Sequence, residues 1–166
     1  MKRQKGFSLI ELLIVVAIIL IIAAIAIPNL LRSRIAANEA SAVGSSRTII
    51  TSEITYAATY ATIGYSSSLS DLGGPAANCS TAGQPTSTAA CLIDPVLAAA
   101  TVSTSPKSGY YFIYTPTVGA PTIAFTNIAT PVVRGQTGQR EFFSDESGVI
   151  RFDAVGTASL TSSPIQ

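Results

Sequence analysis

Hydrophobic and polar positions divide the chain into stretches of different period. From Leu12 to Ile27 every residue is Leu, Ile, Val or Ala, and back to Phe7 only Ser8 and Glu11 interrupt the apolar character. Such a run predicts a helix that is apolar on every side, and at about 1.5 Å rise per residue Phe7 to Ile27 spans roughly 30 Å, the hydrocarbon thickness of a bilayer. Past Pro28 the run gives way to a stripe. Ile35, Ala42 and Ile49 recur every seven residues, Val43, Ile50 and Ala57 form a second row, and Ile54, Ala58 and Ala61 extend it. One face therefore reads as apolar through about Ala61, while Arg32, Arg34, Asn38, Glu39, Arg47 and Glu53 read as solvated or facing another subunit. Pro28 lacks a backbone donor and should kink or locally melt this helix without ending it, because the pattern resumes at once. A helix over 7–61 would be about 80 Å long, more than a domain of this size can cover.

From Gly64 to Gly109 the chain is rich in Gly, Ser, Thr, Ala and Pro, with short helical turns expected near Ser68–Leu72 and Asp94–Ala100. The last third changes to the period of strands. Gly109–Thr115 is aromatic and β-branched, Thr122–Thr126 follows the Gly119-Ala120-Pro121 turn, and Arg140–Ser144 turns through Asp145-Glu146-Ser147-Gly148 into Val149–Phe152. An antiparallel sheet of about four strands needs a cover for its apolar face, and the helix stripe needs a sheet. The expected class is α+β: a long N-terminal helix whose protruding half is transmembrane and whose other half packs on a globular head. Residues 7–61 form the helix, 7–27 its membrane part, and 62–166 the head.

Charge refines this picture. Lys2, Arg3 and Lys5 precede the apolar run with no acid among them, which places the N-terminus on the cytoplasmic side. Without residues 1–6, seven Lys and Arg face nine Asp and Glu, a side-chain charge of −2 that offers no basic field for nucleic acid. Cys79 and Cys91 are separated by eleven residues; in the oxidising compartment beyond a membrane such a pair forms a disulfide, which would stabilise by about 3 kcal/mol. A metal site would need further ligands, and the chain has no histidine. Glu11 does not suit a passive anchor. A carboxylate in an apolar run costs a few kcal/mol unless partnered, and the amine created by a cut before Phe7, on the same or a neighbouring subunit, is the nearest candidate.

Lys5-Gly6-Phe7-Ser8-Leu9-Ile10-Glu11, followed by the apolar run and Pro28, resembles the class III signal of type IV prepilins and their pseudopilin relatives. The resemblance covers about the first third of the chain. It implies that a membrane aspartyl peptidase removes residues 1–6 by cutting between Gly6 and Phe7 and methylates the amine of Phe7. Glu11 is then the acid that sets assembly register, Pro28 the family's helix-kinking proline, and the segment between helix and sheet a variable loop facing outward in the filament. The implied partners are further copies of the chain in a helical homopolymer, the prepilin peptidase and methyltransferase, an inner-membrane assembly platform, and membrane lipid before assembly. The implied locations are the inner membrane, single-pass, and then an extracellular pilus filament serving adhesion and motility. No cofactor, metal or nucleic acid is expected.

Other readings stand beside this one. An ordinary secretory signal also begins basic and apolar, and Ala24-Ile25-Ala26 would pass as its cleavage site, but Glu11 is misplaced there and the helical pattern continues past it. A simple uncleaved anchor has no use for Glu11. Within the family, a type II secretion pseudopilin or a minor pilin in adhesion or DNA uptake shares the same leader and helix. Enzymatic chemistry finds no histidine, no Gly-x-Ser-x-Gly elbow and no phosphate-cradling Gly-Lys-Ser/Thr loop. The aromatics Tyr110, Tyr111, Tyr114, Phe142 and Phe143 read as strand core and surface. Asp145, Glu146 and Asp153 form an acidic group near the last turn that could gather calcium but is more often solvated.

Overall fold

The computed structural model describes residues 7–74, 79 and 85–165. The chain divides into two units, Met1–Arg34 and Ile35–Gln166. Helix α1, Leu9–Thr59, runs through both and stops two residues short of the predicted Ala61. Pro28 lies inside it, and the residues on either side stay helical, so the local melting anticipated there does not occur. Proline removes one N–H from the ladder while the turns before and after keep theirs. In the first unit the large apolar side chains are exposed along the helix, Leu9 by 80%, Ile18 by 52% and Ile27 by 66%.

The second unit is an α+β head. Its sheet has five antiparallel strands in chain order: β1 Tyr110–Pro116, β2 Phe125–Pro131, β3 Glu141–Asp145, β4 Arg151–Asp153 and β5 Ser163–Pro164. The register puts Phe112 opposite Ala129, Ala129 opposite Phe142 and Phe142 opposite Phe152, so Tyr110, Phe112, Phe125, Ala129 and Phe142 share one face. These residues join Ala42, Ile49, Ile50 and Tyr56 of α1 in a single buried core. Two short helices close one side, α2 Leu69–Gly73 and α3 Pro95–Ala99, near the positions read from the sequence. Asp94 caps α3 by accepting from the Leu97 N–H at 2.9 Å, with Pro95 at its first position.

Three expectations are corrected. The second strand occupies 125–131 and not 122–126, because Thr122 bonds outside the ladder: its N–H donates to the Ile63 carbonyl at 2.7 Å and its carbonyl accepts from the Tyr65 N–H at 3.0 Å. The fourth strand begins at Arg151, two residues later than expected, and a fifth pairs with it at 163–164, held by the Ile165 N–H donating to the Ile150 carbonyl at 2.9 Å. Two residues with a proline carry no periodic signal. The third correction concerns the helix stripe. Ala42, Ile49 and Ile50 are buried as expected, but Ile54 is 56% exposed, Ala58 and Ala61 are exposed, and Glu39 and Glu53, read as solvated or facing another subunit, are buried. The buried seam runs Glu39, Ala42, Ser46, Ile49, Glu53, Tyr56, a heptad row on one face of the helix.

Candidate functional site

The chemistry of the first unit lies at the start of α1. Phe7 is 75% exposed and, with Ser8, precedes the helix. Ser8 is the N-cap position and Glu11 the third residue inside, and the Ser8 N–H donates to Glu11 Oε2 at 2.9 Å. The Ser8 carbonyl accepts the Leu12 N–H at 3.2 Å and opens the helical ladder. This is one half of a capping box, in which an acid reaches back to the N-cap amide, and the carboxylate sits at the positive end of the helix dipole. The Ser-x-x-Glu spacing that marks this cap stands in the sequence, and it gives Glu11 a partner within its own chain besides the amine of a cut before Phe7. Gly6, the other side of the expected cut, lies outside the described residues. Beyond Glu11 no charged residue occurs before Arg32, and an 18-residue window of α1 reaches a mean hydropathy of 3.3, long and apolar enough to cross a membrane.

In the head, two carboxylates that the periodicity assigned to a face turned to solvent or to another subunit fasten α1 to distant segments. Glu39 Oε1 accepts the N–H groups of Gln139 and Arg140 at 2.9 and 3.1 Å, and its Oε2 meets Arg140 Nε and a terminal guanidinium nitrogen, each at 2.8 Å. The Arg140 guanidinium also lies over the rings of Phe142 and Phe152 at 5.5 and 5.2 Å. Next to it, Asn38 Nδ2 donates to the Thr137 carbonyl at 2.8 Å. Glu53, with no exposed surface, accepts from the Ser66 N–H at 2.9 Å and lies 2.5 Å from Ser66 Oγ. Burial pushes its pKa above the ordinary carboxylate value, against the lowering effect of the Ser66 and Tyr114 hydrogen bonds. No local signal marked either residue, since their partners come from loops elsewhere in the chain.

The expected disulfide between Cys79 and Cys91 is formed, with Cα atoms 5.6 Å apart. The Cys91 N–H donates to the Gly73 carbonyl and the Leu92 N–H to the Leu72 carbonyl, at 2.8 and 2.7 Å, so the bridge lies against α2. Helix α1 holds the same region through Ser52 Oγ, which donates to the Leu92 carbonyl at 3.2 Å, and Tyr56 Oη, which donates to the Ser87 carbonyl at 2.7 Å. Tyr110 and Phe142 are fully buried and Phe143 nearly so, while Tyr111 and Tyr114 are half-buried, in keeping with strand core and surface. The acidic group near the last turn is occupied locally: Asp145 accepts from the Ser147 N–H at 3.0 Å, and Asp153 Oδ1 accepts the N–H groups of Val155 and Gly156 at 2.8 and 2.7 Å. Those two bonds hold Asp153 below the ordinary carboxylate pKa. Glu146 is exposed, and among the described residues no three His, Cys, Asp or Glu side chains gather as metal ligands.

Residues 1–27 match the family model for the prokaryotic N-terminal methylation motif. A 39-residue segment is 64% identical to the type IV wide pilus major component PilA4 of Thermus thermophilus, covering 24% of this chain and 30% of that protein. The matched segment thus spans less than a third of the curated relative's length. No solved structure matches the chain.

Proposed function

We propose that the chain is the structural subunit of a type IV pilus, made as a prepilin, cut between Gly6 and Phe7, methylated on the Phe7 amine and polymerised through α1 into an extracellular filament for adhesion and motility. The observation that carries this reading is the coincidence of the methylation-motif match over residues 1–27 with a helix apolar on all sides from Leu12 to Ile27. The pilus component that the 39-residue segment resembles adds support.

Exposed apolar surface on this scale has to be covered, by lipid before assembly and by the helices of neighbouring copies afterwards. A prepilin peptidase and methyltransferase in the membrane would act on the leader, and an inner-membrane assembly platform would draw the mature helix out of lipid. Glu11 sets the register: its carboxylate, capped on its own Ser8 N–H in the single chain, exchanges that neutral donor for the methylated amine of an adjacent subunit. The stronger charge-assisted contact in a low-dielectric bundle favours the exchange. Pro28 and the residues around it give the helix a point at which to adjust its packing.

N-terminal sequencing and mass analysis of sheared surface fibres test the whole reading. The expected species starts at methylated Phe7 in abundant fibres. The same species confined to membranes would replace the pilus with a secretion pseudopilin or a minor pilin, and a start at Ile27 would mean a conventional secretory signal. Replacing Gly6 with a bulky residue should leave the leader attached, and a mature-length product from that variant would refute the assigned cut.

A further inference from the structure

Among the described residues of the head, the two most exposed large apolar side chains are Val118, fully exposed, and Val155, 88% exposed. They lie at opposite ends of it. Val118 belongs to the β1–β2 loop, where the Thr117 N–H donates to the Ala124 carbonyl at 2.9 Å and the Thr122 N–H to the Ile63 carbonyl at 2.7 Å. These bonds set Val118 opposite Ile123, 76% exposed, and bring that pair beside Ile63, where the chain leaves α1. Val155 follows β4 in a loop that Arg134 holds through the carbonyls of Ala154 and Gly156, at 3.2 and 3.1 Å. Val133 precedes that arginine, and Leu160 lies further along the same loop; both are exposed. Thr137 and Arg140 join this end to Asn38 and Glu39 of α1. From there to the end of the helix is about 20 residues, or roughly 30 Å.

The two ends also differ in charge. No Lys or Arg occurs over 48–106 or 108–133, so the Val118 end has no cation, while Asp71 of α2, half-buried and held by the Ser67 hydroxyl at 2.6 Å, gives that side a negative charge. At the Val155 end Arg134 and Arg140 each pair with an acid that lies beneath them. The arginine side chains are 32% and 41% exposed, their partners Glu141 and Glu39 only 10% and 9%. The guanidinium groups therefore face outward and the carboxylates inward. Asp153 also lies there, with its Oδ1 occupied by the Val155 and Gly156 N–H groups.

Apolar side chains gathered in water favour association with other apolar surface. A two-fold contact would set each patch against its own copy, guanidinium groups facing guanidinium groups or Asp71 facing Asp71, and like charges brought together oppose it. Two unlike patches at opposite ends instead suit a heterologous contact, in which one end of a copy meets the other end of the next and the operation repeats. We propose that the Val118 and Ile123 loop of one copy docks on the Val133, Val155 and Leu160 surface of another. The contact rests on the filament subunit proposed above and adds an end-to-end interface between heads to the packing of α1. Asp71 approaches the outward guanidinium groups of the neighbour, which fixes the polarity of the contact.

Cysteine cross-linking in sheared surface fibres tests this. Both native cysteines are consumed in the Cys79–Cys91 disulfide, so a short bis-maleimide finds no thiol in the wild type. Fibres of a Val118→Cys/Val155→Cys chain should give a ladder of linked multimers with that reagent or on mild oxidation. Fibres of either single-cysteine chain should stay monomeric on the gel. Should the double variant not assemble, co-assembled single-cysteine chains take its place, and dimers containing one of each are expected. Dimers from either single-cysteine chain alone would reveal a two-fold contact and overturn the proposal. Fibres that carry the cysteines and stay unlinked under both treatments would overturn it as well. Neither result touches the filament reading, which fails on a different observation: wild-type cells without surface fibres of a chain starting at Phe7, in which case the end-to-end contact falls with it.

Discussion

Replacing Glu39 with alanine separates a fastener from a solvated side chain. The carboxylate accepts three hydrogen bonds, two from the backbone N–H groups of Gln139 and Arg140 and one from Arg140 Nε, and pairs with a terminal nitrogen of the same guanidinium, all at 2.8 to 3.1 Å. The Arg140 side chain is 41% exposed and returns to water once released, so the ion pair itself contributes little. The two backbone amides are different, because they are partly buried and lose their acceptor outright, at about 1–2 kcal/mol each. The expected loss is about 3 kcal/mol, which for a head of this size lowers the thermal midpoint by roughly 10 °C. Glu39→Gln keeps an oxygen for the two amides and should cost only about 1 kcal/mol. Circular dichroism melts of the three proteins in micelles, with urea titrations for the free energies, provide the comparison. A Glu39→Ala chain within about 0.5 kcal/mol of wild type, the range of a surface substitution, would show that α1 is not fastened here.

Replacing Cys79 and Cys91 together by serine should lower stability by about 3 kcal/mol through the entropy of the opened loop, read as a shift in urea midpoint that reductant reproduces in the wild type. Tyr110 is fully buried and donates to the Arg140 carbonyl at 2.8 Å, so Tyr110→Phe should cost about 1 kcal/mol in the same titration. Burial, together with the nearby Glu39, raises the Tyr110 phenol above its ordinary value of 10.0, and burial raises Tyr114 likewise. Both stay protonated when folded, so their contribution is complete below that ordinary value and is lost as pH climbs towards the folded one. Ultraviolet titration should therefore detect these phenolates only as the head unfolds. A Cβ at Gly138 would run into the Tyr110 ring, so Gly138→Ala should destabilise by about 1–3 kcal/mol, and a melt unchanged from wild type would contradict the close approach.

The local parts of this protein could be read from residue order, because their causes are local. Sixteen consecutive Leu, Ile, Val and Ala residues leave no alternative to a helix apolar on every side. The Asp145–Gly148 turn needed only the Asp145 side chain, the Gly148 φ of 77° and a carbonyl three residues back. The N-cap at Asp94 and the capping box of Ser8 and Glu11 act within three residues. The disulfide followed from composition and compartment.

Tertiary structure decided what depends on distant donors. Helical periodicity groups Glu39, Ala42, Ile49 and Glu53 on neighbouring positions, yet hydrophobicity alone turned the two acids outward. They face inward because loops about 100 residues away for Glu39, and 13 for Glu53, present N–H groups that a buried carboxylate satisfies and an apolar side chain would leave empty. The same contest set the second strand, where Thr122 bonds to the chain beyond α1 and the ladder starts at Phe125. Apolar pattern states which residues leave water, whereas hydrogen-bond satisfaction across the fold states which polar ones go with them.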